Sequence, residues 1–219
     1  MTNEFAAKTF RGWPFLALGL IAFFPIVAAF VYGAKMTEGI PRPWWGYYAL
    51  SIAMVFLFIF NIIMLTGLTI IQPNTARVVI FFGSYQGTVK TSGFWWINPF
   101  AKKPSISLRT NNMVTPTIKV NDVRGNPIEI GAVVVWRVEN AARASFDVAD
   151  FSSFVDTQCE SALRHLASVY PYDTGVEHET SLRGATDEVS KALAAELQER
   201  VAKAGVAIEE TRLSHLAYA

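Results

Sequence analysis

Ile71-Gln72-Pro73-Asn74-Thr75-Ala76-Arg77-Val78-Val79-Ile80-Phe81-Phe82-Gly83 joins two kinds of chain. Upstream, two long apolar segments fill the first seventy residues. Downstream the period changes to two. Val78, Ile80 and Phe82 fall on one face, and Val79 and Phe81 fall on the other. Both faces are apolar, the pattern of a strand covered on both sides. A β-rich domain therefore starts within a few residues of hydrocarbon, and what it does, it does against a membrane.

The first apolar stretch runs from Trp13 to Ala34 and the second from Trp44 to Ile71, both without a charged residue. Spanning about 30 Å of hydrocarbon takes about 20 helical residues, so either is long enough. A cleaved signal peptide is the alternative for the first. Its apolar run is too long for a usual signal core, it contains Pro25, and Tyr32-Gly33-Ala34-Lys35 is a poor cleavage site. A retained helix is expected. Lys35 to Pro43 carries proline, glycine and charge, the mark of a short turn outside the bilayer. Trp13, Trp44, Trp45, Tyr47 and Tyr48 sit where amphipathic rings favour the interface.

Two spans place both termini on one side. Lys8, Arg11, Arg77, Lys90, Lys102 and Lys103 favour the cytoplasmic side, against Lys35 and Arg42 in the turn. A shallow hairpin bent at Pro25 and Pro41 is the rival topology. Asn61, inside the second span, reads as one interhelical hydrogen bond rather than a functional polar group.

The bulk composition agrees. Of 219 residues, 52% are hydrophobic, more than a soluble domain carries. Setting aside about 70 residues for the membrane leaves roughly 150, enough for one α+β domain with its own core. The net charge of +1 gives no long-range field for nucleic acid. The one cysteine, Cys159, excludes an intrachain disulfide.

Past the first strand, Gly83 to Gly87 reads as a turn and Thr88-Val89-Lys90 as the start of the return strand. Gly93-Phe94-Trp95-Trp96-Ile97-Asn98-Pro99-Phe100 then puts five large apolar side chains in a loop bounded by glycine and proline. They are either core anchors or a wedge into the membrane interface. Ser105 to Arg109 and Val114 to Val120 read as strands, Asn121 to Asn126 as a turn, and Pro127 to Val138 as an alternating strand in a hairpin with the one before it. A short helix is expected over Asn140 to Val148. A longer one starts at Asp150, with Phe151, Phe154, Val155, Cys159, Ala162, Leu163, Leu166 and Val169 as its apolar stripe, and Pro171 ends it. Tyr172 to Gly184 reads as a polar loop. Thr186 reads as the N-cap of a helix in which Val189, Leu193, Leu197 and Val201 recur every four residues, closed by Gly205. Val206 to Leu213 reads as a last strand. The run Leu216 to Ala219, with no breaker, reads as a helix cut short.

These residues resemble the SPFH (band 7) superfamily: stomatins, prohibitins, flotillins and the bacterial HflK–HflC pair. The resemblance runs from about Leu68 to Ala219. It is carried by Gln72 to Val79 followed by Phe82-Gly83, Tyr85 and Gly87-Thr88, by the Gly93 to Phe100 loop, by Ala162-Leu163-Arg164, and by Leu213 to Ala219, which resembles the join to the long coiled coil of bacterial members. The apolar runs give two transmembrane helices (about 13–34 and 44–71) after an N-terminal tail (1–12), and the resemblance implies that an α+β SPFH domain (72–219), an antiparallel sheet packed with helices, follows them. The resemblance further implies side-by-side assembly into a large homo-oligomeric ring or cage that organises a membrane microdomain. The expected partners are membrane lipids and a membrane protease or other membrane protein, and the expected home is a bacterial inner membrane with the domain in the cytoplasm. Two departures stand out. Many members have one anchor or hairpin, whereas this chain has two full spans, and the long C-terminal coiled-coil helix is absent or cut short.

No catalytic constellation stands out, and neither an enzyme nor a cofactor is expected. Glu177-His178-Glu179 lacks the i, i+4 spacing of zinc ligands. Cys159 lies on an apolar stripe, where a catalytic thiol would need a base and exposure. Ser214-His215 has no Gly-x-Ser-x-Gly elbow. The expected function is a membrane scaffold, with a regulatory subunit of a membrane-bound protease as the alternative. The expected membrane contacts are Trp13, Trp44, Trp45, Phe94, Trp95, Trp96, Ile97 and Phe100, and the expected oligomer contacts are Val189, Leu193, Leu197 and Val201.

Overall fold

The computed structural model describes residues 2–36, 45–173 and 181–219. It divides into two compact units, Ala6–Ser105 and Ile106–Ala219, the second taking in Met1–Phe5. The first unit thus extends past Gln72, where the sequence changes character, to Ser105.

The first unit holds α1 (Gly12–Met36) and α2 (Trp45–Thr66), preceded by the two-residue β1 (Phe10–Arg11). Both helices contain a stretch long and apolar enough to cross a membrane, Gly12–Tyr32 and Tyr48–Thr66. Their apolar side chains are mostly exposed, which a soluble core helix does not allow. The chain is membrane-anchored. Asn61 Nδ2 donates to Gly19 O at 3.3 Å, the interhelical bond expected of it. The Lys35–Pro43 turn lies largely outside the described residues.

One residue, Gly67, separates α2 from β2 (Leu68–Ile71). Then come β3 (Thr75–Phe81), β4 (Ser84–Val89) and β5 (Gly93–Trp96). Strand β5 lies between β1 and β2, and β3 pairs antiparallel with β4. The turn expected over Gly83–Gly87 is shorter. Phe81 pairs with Ser84, and only Phe82 and Gly83 lie between them, both at positive φ (47° and 82°). Two consecutive left-handed residues match the right-handed twist of a hairpin, so a two-residue loop suffices. Similarly, Gly93–Trp96 is a strand rather than a loop.

In the second unit, after β6 (Ser105–Ser107), β7 (Asn111–Val114), β8 (Ile118–Asn121), β9 (Pro127–Val138) and β10 (Val206–Tyr218) form one antiparallel sheet. β9 is flanked by β10 on one side and by β7 and β8 on the other. Ile128, Ile130, Ala132, Val134, Trp136 and Val138 are buried, the alternation the sequence carries. The β8–β9 turn is built on Asp122, whose Oδ1 accepts from the amides of Arg124 and Asn126 and whose Oδ2 accepts from Asn126 Nδ2 and the Tyr172 amide. Burial alone would push its carboxyl pKa up. The donors from Tyr172, Asn126 and Arg124 outweigh this and hold it below the usual range.

Three helices complete the unit: α3 (Ala141–Phe146), α4 (Phe151–Val169) and α5 (Thr186–Val201). Asp150 caps α4 by accepting from the Ser152 amide, as read from sequence. For α5 the capping residue is Ala185, with no side-chain bond, and Thr186 is already helical. Gly205 (φ 68°) ends the short 3₁₀ turn after α5, and its carbonyl accepts from the amides of Glu139 and Asn140. A Cβ there would lie 2.5 Å from Asn140 O, so the position needs glycine twice over.

The last strand corrects the reading of the C-terminal residues. Leu213–Ala219 is not the start of a helix: β10 continues to Tyr218, pairing Leu216 with Ile130 and Tyr218 with Ile128. Two bulges, at Glu209 and Ser214, interrupt its register.

Candidate functional site

The sequence places its most unusual side chains at Phe94–Phe100, and the structure builds them into the junction between membrane helices and sheet. Trp96 pairs with Leu68 on one side and Phe10 on the other. Its indole Nε1 donates to Met64 O in the last turn of α2 at 2.9 Å, a carbonyl that also accepts from the Gly67 amide at 3.2 Å. Its ring stacks on Phe15 of α1, with centroids 4.5 Å apart and planes 10° apart. Phe94 meets Trp13 edge-on at 5.3 Å. A Cβ on Gly67 would lie 2.6 Å from Trp96 Nε1 and 2.8 Å from Ile97 O, so no other residue fits between α2 and β2 without displacing this junction.

Of the residues expected to touch the membrane, Trp13 and Trp45 are exposed, Phe94, Trp95 and Trp96 are half-buried, and Phe100 is exposed. Trp44 lies outside the described residues. Ile97 is a correction: it is 1% exposed and packs with Ile71, Val79, Val89 and Ala101. Side chains alternate across a strand, and Ile97 follows β5 on its inward side. The question of anchor or wedge thus divides by residue, with Ile97 an anchor and Phe100 free at the surface.

Sequence reading missed Phe82, 91% exposed at the tip of the β3–β4 hairpin. Also missed was the pairing of Arg77 and Lys103. Arg77 Nη1 donates to Lys103 O at 2.9 Å, its Nε is buried without a partner, and Lys103 Nζ donates to Ile97 O at 3.4 Å. Burial, with the charge of Arg77 adding to it, holds the Lys103 ammonium below its ordinary pKa. In sequence these residues were only basic charges near a span. Nothing in their spacing, 26 apart, brings them together.

In the second unit Val189, Leu193, Leu197 and Val201 are fully buried. The four-residue recurrence marks the face of α5 that packs on β10 and α4, so these side chains do not meet neighbouring copies. The outer face of α5 carries Asp187, Glu188, Lys191, Ala195 and Glu199 instead.

The groups weighed for chemistry stand apart. Cys159 is buried, and burial, with Asp156 adding to it, pushes its thiol up to about 12, far from a nucleophile's range. His165 contacts Glu196 at 3.0 Å on the surface, and Glu196 also holds Arg200. His215 lies 3.7 Å from Glu129 across the β9–β10 ladder. Glu177-His178-Glu179 lies outside the described residues. Among the described residues no three His, Cys, Asp or Glu side chains are placed to hold a metal ion.

No curated protein matches the chain in sequence. The SPFH domain / Band 7 family model matches residues 69–219, from the first strand after α2 to the end of β10, and with more than half its length covered the chain belongs to that family.

Proposed function

We propose that this protein is a non-enzymatic membrane scaffold whose copies assemble side by side into a large ring or cage, holding or regulating other membrane proteins in a lipid microdomain. The observation that carries the reading is the junction at Gly67. Two exposed apolar helices and an aromatic-faced sheet share one compact unit, so the start of the SPFH region, as far as Ser105, follows the spans with no flexible linker. Family membership supports a membrane-associated scaffold or regulator. The separated histidines and the inert thiol of Cys159 support the absence of catalysis.

In this proposal Trp13, Trp45, Phe94, Trp95, Trp96 and Phe100 contact the membrane at the level of the headgroups, with Trp44 as a further contact. Lipids and further copies of this chain are the partners, and a membrane protease or another membrane protein is the client. The basic residues flanking the spans support a cytoplasmic domain on an inner membrane. Contacts between copies run through the polar face of α5 and the outer edge of β10, which among the described residues has a sheet neighbour on one side only.

Particle size in mild detergent, read by light scattering and electron microscopy on the full chain, tests this. A large closed ring or cage is expected. A monodisperse monomer would reject the assembly, and stoichiometric co-purification of a protease would favour a dedicated regulatory subunit.

A further inference from the structure

We infer that Arg77 and Lys103 together form a site for the phosphate of an anionic phospholipid headgroup. Both are half-buried cations, the Arg77 guanidinium donates to the backbone carbonyl of Lys103, and among the described residues neither has a carboxylate in an ion pair. Like charges drawn together repel, and burial disfavours the Lys103 ammonium. Arg77 Nε is a buried donor with no acceptor at all. A chain that holds two cations this way without an acid leaves the counter-charge to come from outside it.

The location names the source. Lys103 Nζ bonds Ile97 O, and the amide of Ile97 bonds Gly67 O at 2.9 Å, one residue past the end of α2. The ammonium is therefore two hydrogen bonds from the end of a membrane span. Headgroups occupy about 5–8 Å beyond the hydrocarbon on each face, a layer within reach of a side chain tied this closely to the end of a span. Trp95 and Trp96, the residue types that settle at the same level, precede Ile97 directly. The guanidinium fork suits two phosphate oxygens and the lysine supplies a point charge. Juxtamembrane cations favour anionic over zwitterionic lipid. Free inorganic phosphate offers the same oxygens, but nothing would hold it at this depth.

The inference rests on the membrane-anchored reading and not on assembly. It is tested on the full chain in non-ionic detergent, titrated with short-chain phosphatidylglycerol, short-chain phosphatidylcholine and inorganic phosphate, with bound molecules counted by native mass spectrometry. One phosphatidylglycerol per chain is expected, held about tenfold more tightly than phosphatidylcholine. Lys103→Gln should weaken it by about fivefold to tenfold, and Arg77→Lys, which keeps the charge and loses the fork, by a few-fold. Lys119→Gln, on the exposed Glu129 ion pair, should match the wild type.

Equal affinity in Lys103→Gln, or equal binding of the two lipids, overturns the site. Displacement of the lipid by equimolar inorganic phosphate overturns the lipid assignment. Should Lys103→Gln fail to fold, the wild type decides: affinity for phosphatidylglycerol falls several-fold from low to high ionic strength, and a salt-independent affinity overturns the proposal. Release of the protein from membranes by carbonate without detergent would instead remove the anchored reading beneath it.

Discussion

The two units spend similar side chains in opposite ways. In Ala6–Ser105 the large apolar residues of α1 and α2, such as Ile21, Phe24, Phe56 and Phe60, face outward, and the buried cluster around Ile71, Val79 and Ile97 is small. In Ile106–Ala219 the apolar residues of β9, α4 and α5 face inward, and Asp187, Lys191 and Glu199 face out. One chain thus shows two solvents. Where the surroundings are lipid, turning an apolar side chain inward gains nothing, and helices associate by packing and hydrogen bonds. Where the surroundings are water, burial of apolar area drives folding.

This comparison can be broken by mutation. The largest effect is expected from Leu197→Ala, which opens a cavity in a fully buried position and should cost about 3 kcal/mol, read as a lowered melting temperature of the SPFH unit. The counterpart Ile21→Ala, at a residue 72% exposed on α1, should leave that melting temperature within about 1 °C, since no water-excluded core is lost. Equal losses at the two positions would mean that α1 is packed against protein, not lipid.

Asp122→Asn comes next, at about 2 kcal/mol, because an amide nitrogen would face the Tyr172 and Asn126 donors in place of a charged acceptor. The pH dependence follows from the sign of the shift. The folded pKa of Asp122 lies below its unfolded value, so its contribution is full above the unfolded pKa, about 3.9, and is lost as pH falls through the folded pKa. Acid unfolding of the wild type should therefore steepen below about pH 4, and Asp122→Asn should flatten that limb. An unchanged acid limb would assign it to other carboxylates.

Asn61→Leu should have a smaller effect, about 0.6 kcal/mol, through loss of the bond to Gly19 O. It is best read as helix–helix association of the two spans in a bilayer. A loss as large as that of Leu197→Ala would give Asn61 more than a structural role. Smallest of all, Cys159 in the folded protein should remain unlabelled by a thiol reagent at pH 8 and react only on denaturation.

Much of this was legible because it is local. Helix spans follow from runs of uncharged residues, the Asp150 cap from one side chain and the next amides, and the Pro127–Val138 strand from its alternation. What the sequence left open depends on what lies across from a residue. Val189, Leu193, Leu197 and Val201 announce an apolar face, but periodicity does not say whether this chain or a neighbour covers it. Leu213 and Leu216 fit the spacing of a helix as well as a strand, and pairing with Ala132 and Ile130, some eighty residues away, decides for the strand. The Gly93–Phe100 stretch looks like a loop until β2 and β1 supply its partners.

The sequence by itself determined that this protein has two helices long and apolar enough to cross a membrane, an α+β SPFH domain after them, and in that domain the Asp150 cap and the turn before Pro127. Solvent preference and short-range hydrogen bonding act within a few residues, so composition and spacing suffice for them. Only the tertiary structure decided that Ile97 is core, that Trp96 binds the end of α2, that Leu213–Tyr218 continue a strand, and that Arg77 lies beside Lys103. Each of these is a contact between residues distant in the chain, fixed by which surfaces pack together rather than by any pattern along the sequence.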